Sequence, residues 1–273
     1  MTQRTNDAHM RLHVLASGSK GNAAIVENMA TGEGILIDCG ICKRDFLSRC
    51  DEAGFDPHQL RGVLITHEHT DHTKGLGVVY RALAKLEVHP TIHVSDAVRD
   101  ASRDIGELLE QDLCDAHAFA SGGELDLAGF AIHAFVTSHD AAQSFGFRVE
   151  CGGDAIGYMT DTGVVTPQAH EALGGCRLLA IEANHDRTML AEGPYPYPLK
   201  RRIASERGHL SNEQSAAELA GLLHDGLAAV IAMHVSENNN DYELPAVALR
   251  DAIAREGHGA AVHVARQRSL VSI

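Results

Sequence analysis

The apolar run Val63-Leu64-Ile65 passes directly into Thr66-His67-Glu68-His69-Thr70-Asp71-His72. Three histidines and an aspartate thus fall within six positions. A buried strand that ends in His-x-His-x-Asp-His places a metal site at the mouth of a sheet. Imidazole and carboxylate together suit zinc, with manganese and iron less preferred. His67 and His69 are two apart, so in an extended chain they point the same way. Asp71 and His72 follow where the chain must turn, within reach of a second ion beside the first. The bland alternative is a solvated polar turn, and four ligand-type residues at this spacing argue against it.

The rest of the chain repeats this grammar. Strands are predicted over 12–15, 23–27, 35–37, 62–65 and 91–94, with helices over 43–54, 75–86 and 95–112, the last capped by Ser95 or Asp96. In the second half, a strand over 129–136 runs into His139, one over 155–159 into Asp161, one over 177–183 into Asn184-His185-Asp186, and one over 228–233 into His234. A further strand is expected over 144–151. Short strands alternating with helices indicate an α/β protein with its helices outside. Ligands at strand ends are where such sheets build sites. The 273 residues suffice for one large core, and residues 1–273 are read as a single domain. Ser211-Asn212-Glu213-Gln214 reads as a capping box opening an amphipathic helix. The alternating prolines of 192–198 are expected to hold that stretch extended.

Composition removes several classes. A net charge of -14 disfavours an all-over nucleic-acid-binding surface, though not a local basic strip. The chain starts polar over residues 1–10, and no run approaches the ~20 apolar residues of a membrane span. Six cysteines form no dense framework. A cytoplasmic protein with reduced thiols and no membrane contact is expected. Cys39-x-x-Cys42 has no second pair to complete a zinc site. The loop Ser17-Gly18-Ser19-Lys20-Gly21-Asn22 has two readings, backbone amides presented to a phosphate or a tight hairpin. Asp38 is either an imidazole's hydrogen-bond partner or a turn residue. His185, beside Asp186, is either support for a metal ligand or a plain core residue.

Taken in order, His67-x-His69-x-Asp71-His72, His139, Asp161 and His234 resemble the metallo-β-lactamase superfamily over nearly the whole chain. The resemblance implies a four-layer αββα sandwich with two divalent metal ions, zinc first and manganese the alternative. His67, His69 and His139 would hold one ion, Asp71, His72 and His234 the other, and Asp161 would bridge. A carboxylate at the bridging position, rather than cysteine, is similar to the phosphodiesterase branch. There Gly208-His209-Leu210-Ser211 is similar to tRNase Z, which implies that His209, oriented by Glu182, acts on the leaving oxygen. The alternative for His209 is a buried histidine at a helix start.

At a finer level six segments resemble the YycJ/WalJ group of bacterial nucleases. They are Ser17-Gly18-Ser19-x-Gly21-Asn22, Glu182-x-Asn184-His185-Asp186, Gly193-Pro194-Tyr195-Pro196, Leu199-Lys200-x-Arg202-Ile203, Gly208-His209-Leu210-Ser211-Asn212 and Ser236-x-Asn238-Asn239. The expected function is therefore a dinuclear-metal phosphodiesterase, a nuclease acting like a 5′ exonuclease on DNA through a metal-bridging hydroxide. A cyclic-phosphate or cyclic-nucleotide phosphodiesterase and a tRNA 3′-processing endonuclease are the alternatives. Asp71, His209 and Glu182 are the catalytic candidates. The long arm of tRNase Z has no counterpart, so Ser19, Asn22, Lys200, Arg201 and Arg202, with Arg207, are left as contacts to a nucleic-acid substrate.

Overall fold

The computed structural model describes residues 8–273, so residues 1–7 of the polar start lie outside the described residues. Seven strands make the first sheet: β1 (Met10–Ala16), β2 (Ala23–Asn28), β3 (Gly34–Ile37), β4 (Leu60–Leu64), β5 (Thr91–Val94), β6 (Ala116–Ala118) and, beyond β1, β14 (Val271–Ser272). The second holds β7 (Glu124–Leu127), β8 (Phe130–Val136), β9 (Phe145–Cys151), β10 (Asp154–Met159), β11 (Leu178–Glu182), β12 (Ala229–Met233) and β13 (Ala261–Val264), in the order β13-β12-β11-β10-β9-β8-β7. Each sheet has an antiparallel meander that turns into a parallel half: β3 to β6 run parallel in one, β10 to β13 in the other. Parallel pairing requires crossovers, and those crossovers bring the helices.

The helices are α1 (Lys43–Ala53), α2 (Thr70–Thr73), α3 (Leu76–Ala84), α4 (Asp96–Ala101), α5 (Arg103–Glu110), α6 (Pro167–Leu173), α7 (Arg187–Glu192), α8 (Tyr197–Ile203), α9 (Asn212–Leu222) and α10 (Glu243–Arg255). One apolar cluster joins the inner faces of both sheets (Leu12, Val26 and Ile35 with Phe147, Ile156 and Ile231) and continues through Ile25 and Leu36 to Phe46 and Val79 on the outer helices. A second packs Leu179 and Val230 against Leu219 and Leu249 of α9 and α10. The result is the expected four-layer αββα sandwich. β10, β11 and β12 are buried at every residue, which is why they read as unbroken apolar runs rather than alternating ones. Among the described residues no helix is long and apolar enough to cross a membrane.

Two local expectations need correction. The helix expected over 95–112 is two, because Ser102 leaves helical geometry (ψ 112°) and its hydroxyl caps α5 by accepting from Ile105 N. Ser95 caps α4 in the same way. The stretch 192–198 does not stay extended to its end. Tyr197 and Pro198 open α8, where a proline's missing N–H is an unpaired position anyway. The capping box forms as expected, with Ser211 Oγ accepting from Gln214 N at 3.2 Å and Ser211 N donating to Gln214 Oε1 at 2.9 Å.

A titratable group far from the strand ends adds a pH dependence. His93 on β5 is 6% exposed and lies 5.4 Å from the His117 ring; burial, then that neighbour, push its pKa down to about 4. A group depressed on folding stabilises the fold above its unfolded pKa, here 6.5, and loses that contribution as the pH falls toward 4. Between pH 7.5 and pH 5 the wild type should lose about 2 kcal/mol more stability than His93→Gln. Urea denaturation of both at the two pH values measures the difference, and parallel losses would remove the assignment.

Candidate metal centre and active site

The strand ends deliver the polar residues to one edge of the sandwich. Asp38 follows β3, His67 and His69 follow β4, and Asp71 and His72 ride on α2; His139 follows β8, Asp161 follows β10, Glu182 ends β11 and His234 follows β12. Asp38, Asp161 and His234 have φ of 59°, 54° and 53°, the left-handed region that short polar side chains tolerate better than branched ones. Such residues cost of order 1–3 kcal/mol and cluster at functional sites. Close backbone approach also matters. A Cβ on Gly40 would lie 1.7 Å from the carbonyl oxygen of Asp71, and the bare glycine lets Cys39 N reach His72 O at 2.7 Å.

The seven residues singled out as ligands converge. One nitrogen each of His67, His69 and His139 lie within 4.8 Å of one another, as do the ligand atoms of Asp71, His72 and His234, and those of His67, His72 and Asp161. Asp161 lies between the groups, Oδ2 3.2 Å from His72 Nε2 and Oδ1 3.7 Å from His139 Nε2. Each of three imidazoles is turned by an outer partner at Nδ1: His72 by Asp38 Oδ2 at 2.7 Å, His139 by the Gly208 carbonyl at 3.0 Å, and His234 by Glu182 Oε1 at 3.0 Å. In each case Nδ1–H donates outward and Nε2 is left to face the centre. Asp38 thus takes the imidazole-orienting role, and Thr66 N and Oγ1 donate to its carboxylate as well.

Asp161, Glu182, His209 and His234 also come within the same distance, but the Glu182 oxygens are already taken. Oε1 accepts from His209 Nδ1 at 2.7 Å and faces His234 Nδ1, and Oε2 accepts from Thr162 N at 2.8 Å. His209 lines a cleft of about 220 Å³, whose walls also include Ser19, His69, Asp71, His139, Asp161 and Arg202.

The donor set suits divalent cations. His67 Nε2 and His234 Nε2 are buried with no hydrogen-bond partner among the described residues, a costly state for groups of this kind unless something else takes the lone pair. Fully or nearly buried carboxylates crowd the same space. Burial opposes ionisation of Asp161, yet His234 and His72 hold it well below the usual carboxylate range. Burial likewise works against Asp71 and Glu182, and the facing histidines hold both at about 2. The reciprocal effect lifts His234 to about 10, against its burial, through Asp161, Asp71 and Glu182. His72 is likewise raised, against its burial, by Asp38, Asp161 and Asp71. His67 is pushed down by its burial and then by the neighbouring His72, which Asp161 only partly offsets. This much negative charge with imidazole nitrogens aimed at it is what a site for divalent metal provides.

Losing an outer partner should weaken the inner ligand. Asp38→Asn keeps a side chain that tolerates positive φ but removes the carboxylate from His72, and divalent-metal affinity should fall by roughly 10–100-fold. Competition against a chromophoric chelator measures it, and unchanged affinity would return Asp38 to a turn role.

The expected substrate contacts divide. Ser19 and Arg202 line the cleft, with Arg202 paired to Asp140. Lys200 and Arg201 do not. Residues 200–202 are helical, so successive side chains diverge by about 100°. Lys200 Nζ donates to Ala191 O at 2.6 Å, and both Lys200 and Arg201 line a separate cavity with His185. Asn22 is fully buried and does not line the cleft. Its Oδ1 accepts from Gly18 N at 2.9 Å and its Nδ2 lies 3.0 Å from His72 Nε2. The Ser/Gly loop is accordingly no phosphate nest, since the amides of Ser17, Gly18, Lys20, Gly21 and Asn22 all donate within the protein. Ser17 Oγ instead accepts from His234 N at 2.7 Å, tying the loop to the second half. Arg207 donates to the His139 carbonyl at 3.1 and 3.2 Å and so braces a ligand loop. Asp140, which the sequence reading passed over, is signalled only by its place beside His139.

Residues 34–235, from β3 through the segment after β12, match the beta-lactamase superfamily domain. Exodeoxyribonuclease YycJ of Bacillus anthracis is 32% identical over 253 residues, covering 92% of this chain and 92% of that protein. Exodeoxyribonuclease WalJ of Streptococcus pneumoniae is 30% identical over 249 residues, covering 91% and 90% respectively. Among solved structures, the metallo-beta-lactamase fold protein YhfI from Bacillus subtilis aligns with a TM-score of 0.72 at 17% identity, over 97% of this chain and 99% of that one. A family match running through both sheets, and relatives aligned along at least 90% of their own length, lead to one assignment: the chain belongs to the metallo-β-lactamase superfamily of metal-dependent hydrolases, in its YycJ/WalJ group.

Proposed function

We propose that the protein is a dinuclear-metal phosphodiesterase acting on nucleic acid, foremost as an exonuclease on DNA 5′ ends, with residues 1–273 forming one cytoplasmic catalytic domain. The observation that carries this reading is the pairing of His209 with Glu182, 2.7 Å apart, on the wall of the cleft that Asp71, His139 and Asp161 also line. Hydrolysis of a diester needs a group that returns a proton to the departing oxygen, and a histidine held through Nδ1 offers its Nε2 for that purpose. The names of the two bacterial relatives support DNA as the substrate class.

His67, His69 and His139 would hold one ion, Asp71, His72 and His234 the other, with Asp161 shared. Two such ions, zinc first and manganese the alternative, supply Lewis acidity and a water activated at neutral pH. The protein's own groups do the rest. Asp71, whose side chain is 22% exposed at the cleft, would orient the attacking water. Arg202 and Ser19 steer the phosphate oxygens. Glu182 keeps the His209 ring in one tautomer, Nδ1–H toward the carboxylate.

The small cleft, about 220 Å³, favours a second reading, a cyclic-phosphate or cyclic-nucleotide phosphodiesterase. tRNA 3′ processing is the remaining alternative. Metal analysis of the purified protein, with end-labelled DNA and RNA and 2′,3′- and 3′,5′-cyclic nucleotides assayed in Zn²⁺ and Mn²⁺, tests all three. Release of mononucleotides from 5′ ends of DNA is the expected result. Turnover of cyclic nucleotides alone would replace the nuclease reading.

A further inference from the structure

Helix α8 is a wall with a cavity on each side. Leu199, Arg202 and Ile203 face the metal cleft, whereas Tyr197, Lys200 and Arg201 face a second cavity of about 500 Å³. Across this second cavity stand Arg187 and Leu190 of α7, and His185 belongs to its lining. Among the described residues no aspartate or glutamate lines it, in a chain whose net charge is -14. Its cations are not locked in strong pairs. Arg187 lies 3.8 Å from the exposed Glu213, Lys200 donates to a backbone carbonyl, and the Arg201 guanidinium sits 6.0 Å from the centre of the Tyr197 ring. Tyr197 is 72% exposed, an open aromatic face. His185 is 2% exposed, and its buried Nδ1 has no hydrogen-bond partner among the described residues.

Cations beside an open aromatic ring match one ligand chemistry, a nucleotide: phosphate for the cations and a base for the ring. An acidic peptide would satisfy the charges and leave the ring idle. The two cavities are also adjacent along the backbone. Asn184 lines the metal cleft and His185 the second cavity, and Tyr195 and Tyr197 divide the same way. Consecutive Cα atoms are only ~3.8 Å apart, so the two cavities are separated there by little more than the backbone they share. We infer that the second cavity binds one nucleotide of the substrate strand beside the scissile phosphate. Arg187, Lys200 and Arg201 meet its phosphate, Tyr197 stacks on its base, and His185 supplies a hydrogen bond from the lining. The inference deepens the phosphodiesterase reading and rests on it for the strand.

The test uses the metal-loaded protein with Tyr197→Ala, Arg187→Ala and the double variant, both side chains being largely exposed. Three quantities are measured: dAMP binding by equilibrium dialysis, kcat and KM on a single-stranded DNA oligonucleotide, and hydrolysis of bis(4-nitrophenyl) phosphate, which fills the metal cleft alone. The expected result is weaker dAMP binding and an oligonucleotide KM raised roughly tenfold per lost stacking or phosphate contact, with kcat and small-diester hydrolysis at wild-type values. Wild-type dAMP binding and KM in the double variant would overturn the inference. So would displacement of DNA by polyglutamate with no dAMP binding, or a fall in small-diester hydrolysis parallel to that on DNA. If the wild type cleaves no DNA yet binds dAMP in a Tyr197-dependent way, the nuclease reading fails and a nucleotide site remains.

Discussion

Replacing His209 by alanine is expected to lower kcat on a phosphodiester by roughly 10²–10⁴-fold, the range for general acid–base groups, with bound divalent metal unchanged. The geometry separates these two effects. His209 is held through Nδ1 by Glu182, and its side chain is 14% exposed at the cleft. His67, His69 and His139 gather without it, as do Asp71, His72 and His234. The variant should therefore load metal normally and fail late, when the departing oxygen needs a proton. A substrate with a good leaving group, such as a 4-nitrophenyl diester, needs that proton less and should lose much less turnover. Equal losses on both substrates would place His209 elsewhere in the mechanism, and wild-type turnover on DNA would remove it altogether.

The second large effect concerns the frame. Asp154 and Arg177 form a buried pair, 1% and 10% exposed, that joins the two sheets. Arg177 donates Nε to Asp154 Oδ1 at 2.8 Å and Nη2 to Oδ2 at 2.7 Å, and the same Nη2 reaches Met10 O in β1. His9 N and Met10 N donate back to Asp154 Oδ2 at 3.1 Å. Asp154→Ala leaves the guanidinium buried without its counter-charge and should destabilise the fold by about 3–5 kcal/mol. A matched apolar pair, Asp154→Leu with Arg177→Met, removes both charges and should recover part of that loss, since the Met10 amide and carbonyl still lose these partners. Urea denaturation at pH 7 distinguishes the cases, and a single-variant loss under about 1 kcal/mol would mean the pair is no clasp.

What the sequence made legible follows from range. The ligand-bearing strand ends were visible because a buried parallel strand is an uninterrupted apolar run and the polar residue that ends it stands out, as Asp161 does after Ile156, Tyr158 and Met159. The Ser211–Gln214 capping box was visible because its partners are three residues apart. Asp38 at a strand end offered itself as a partner for an imidazole, but its link to His72 spans 34 positions, and that of Asp154 with Arg177 spans 23, so no local pattern names either partner. Asn22 was misread for the same reason. A polar residue in a Gly/Ser loop looks exposed until the loop packs against α2, and its amide then lies beside His72. The Lys200-Arg201-Arg202 run looked like one basic patch because adjacency in sequence is not adjacency on a helix. β13 and β14 were missed because they are short and carry no fully buried residue.

The seven residues of α8 turn both cavities on a single shaft. Each residue added or removed upstream within the helix would rotate the remainder by about 100°, carrying Arg202 out of the cleft and a neighbour into it. Point substitutions can tune the two chambers separately, but a change in length disturbs both together. Natural variation in this segment is accordingly expected to arise by exchange of side chains, with its residue count held fixed.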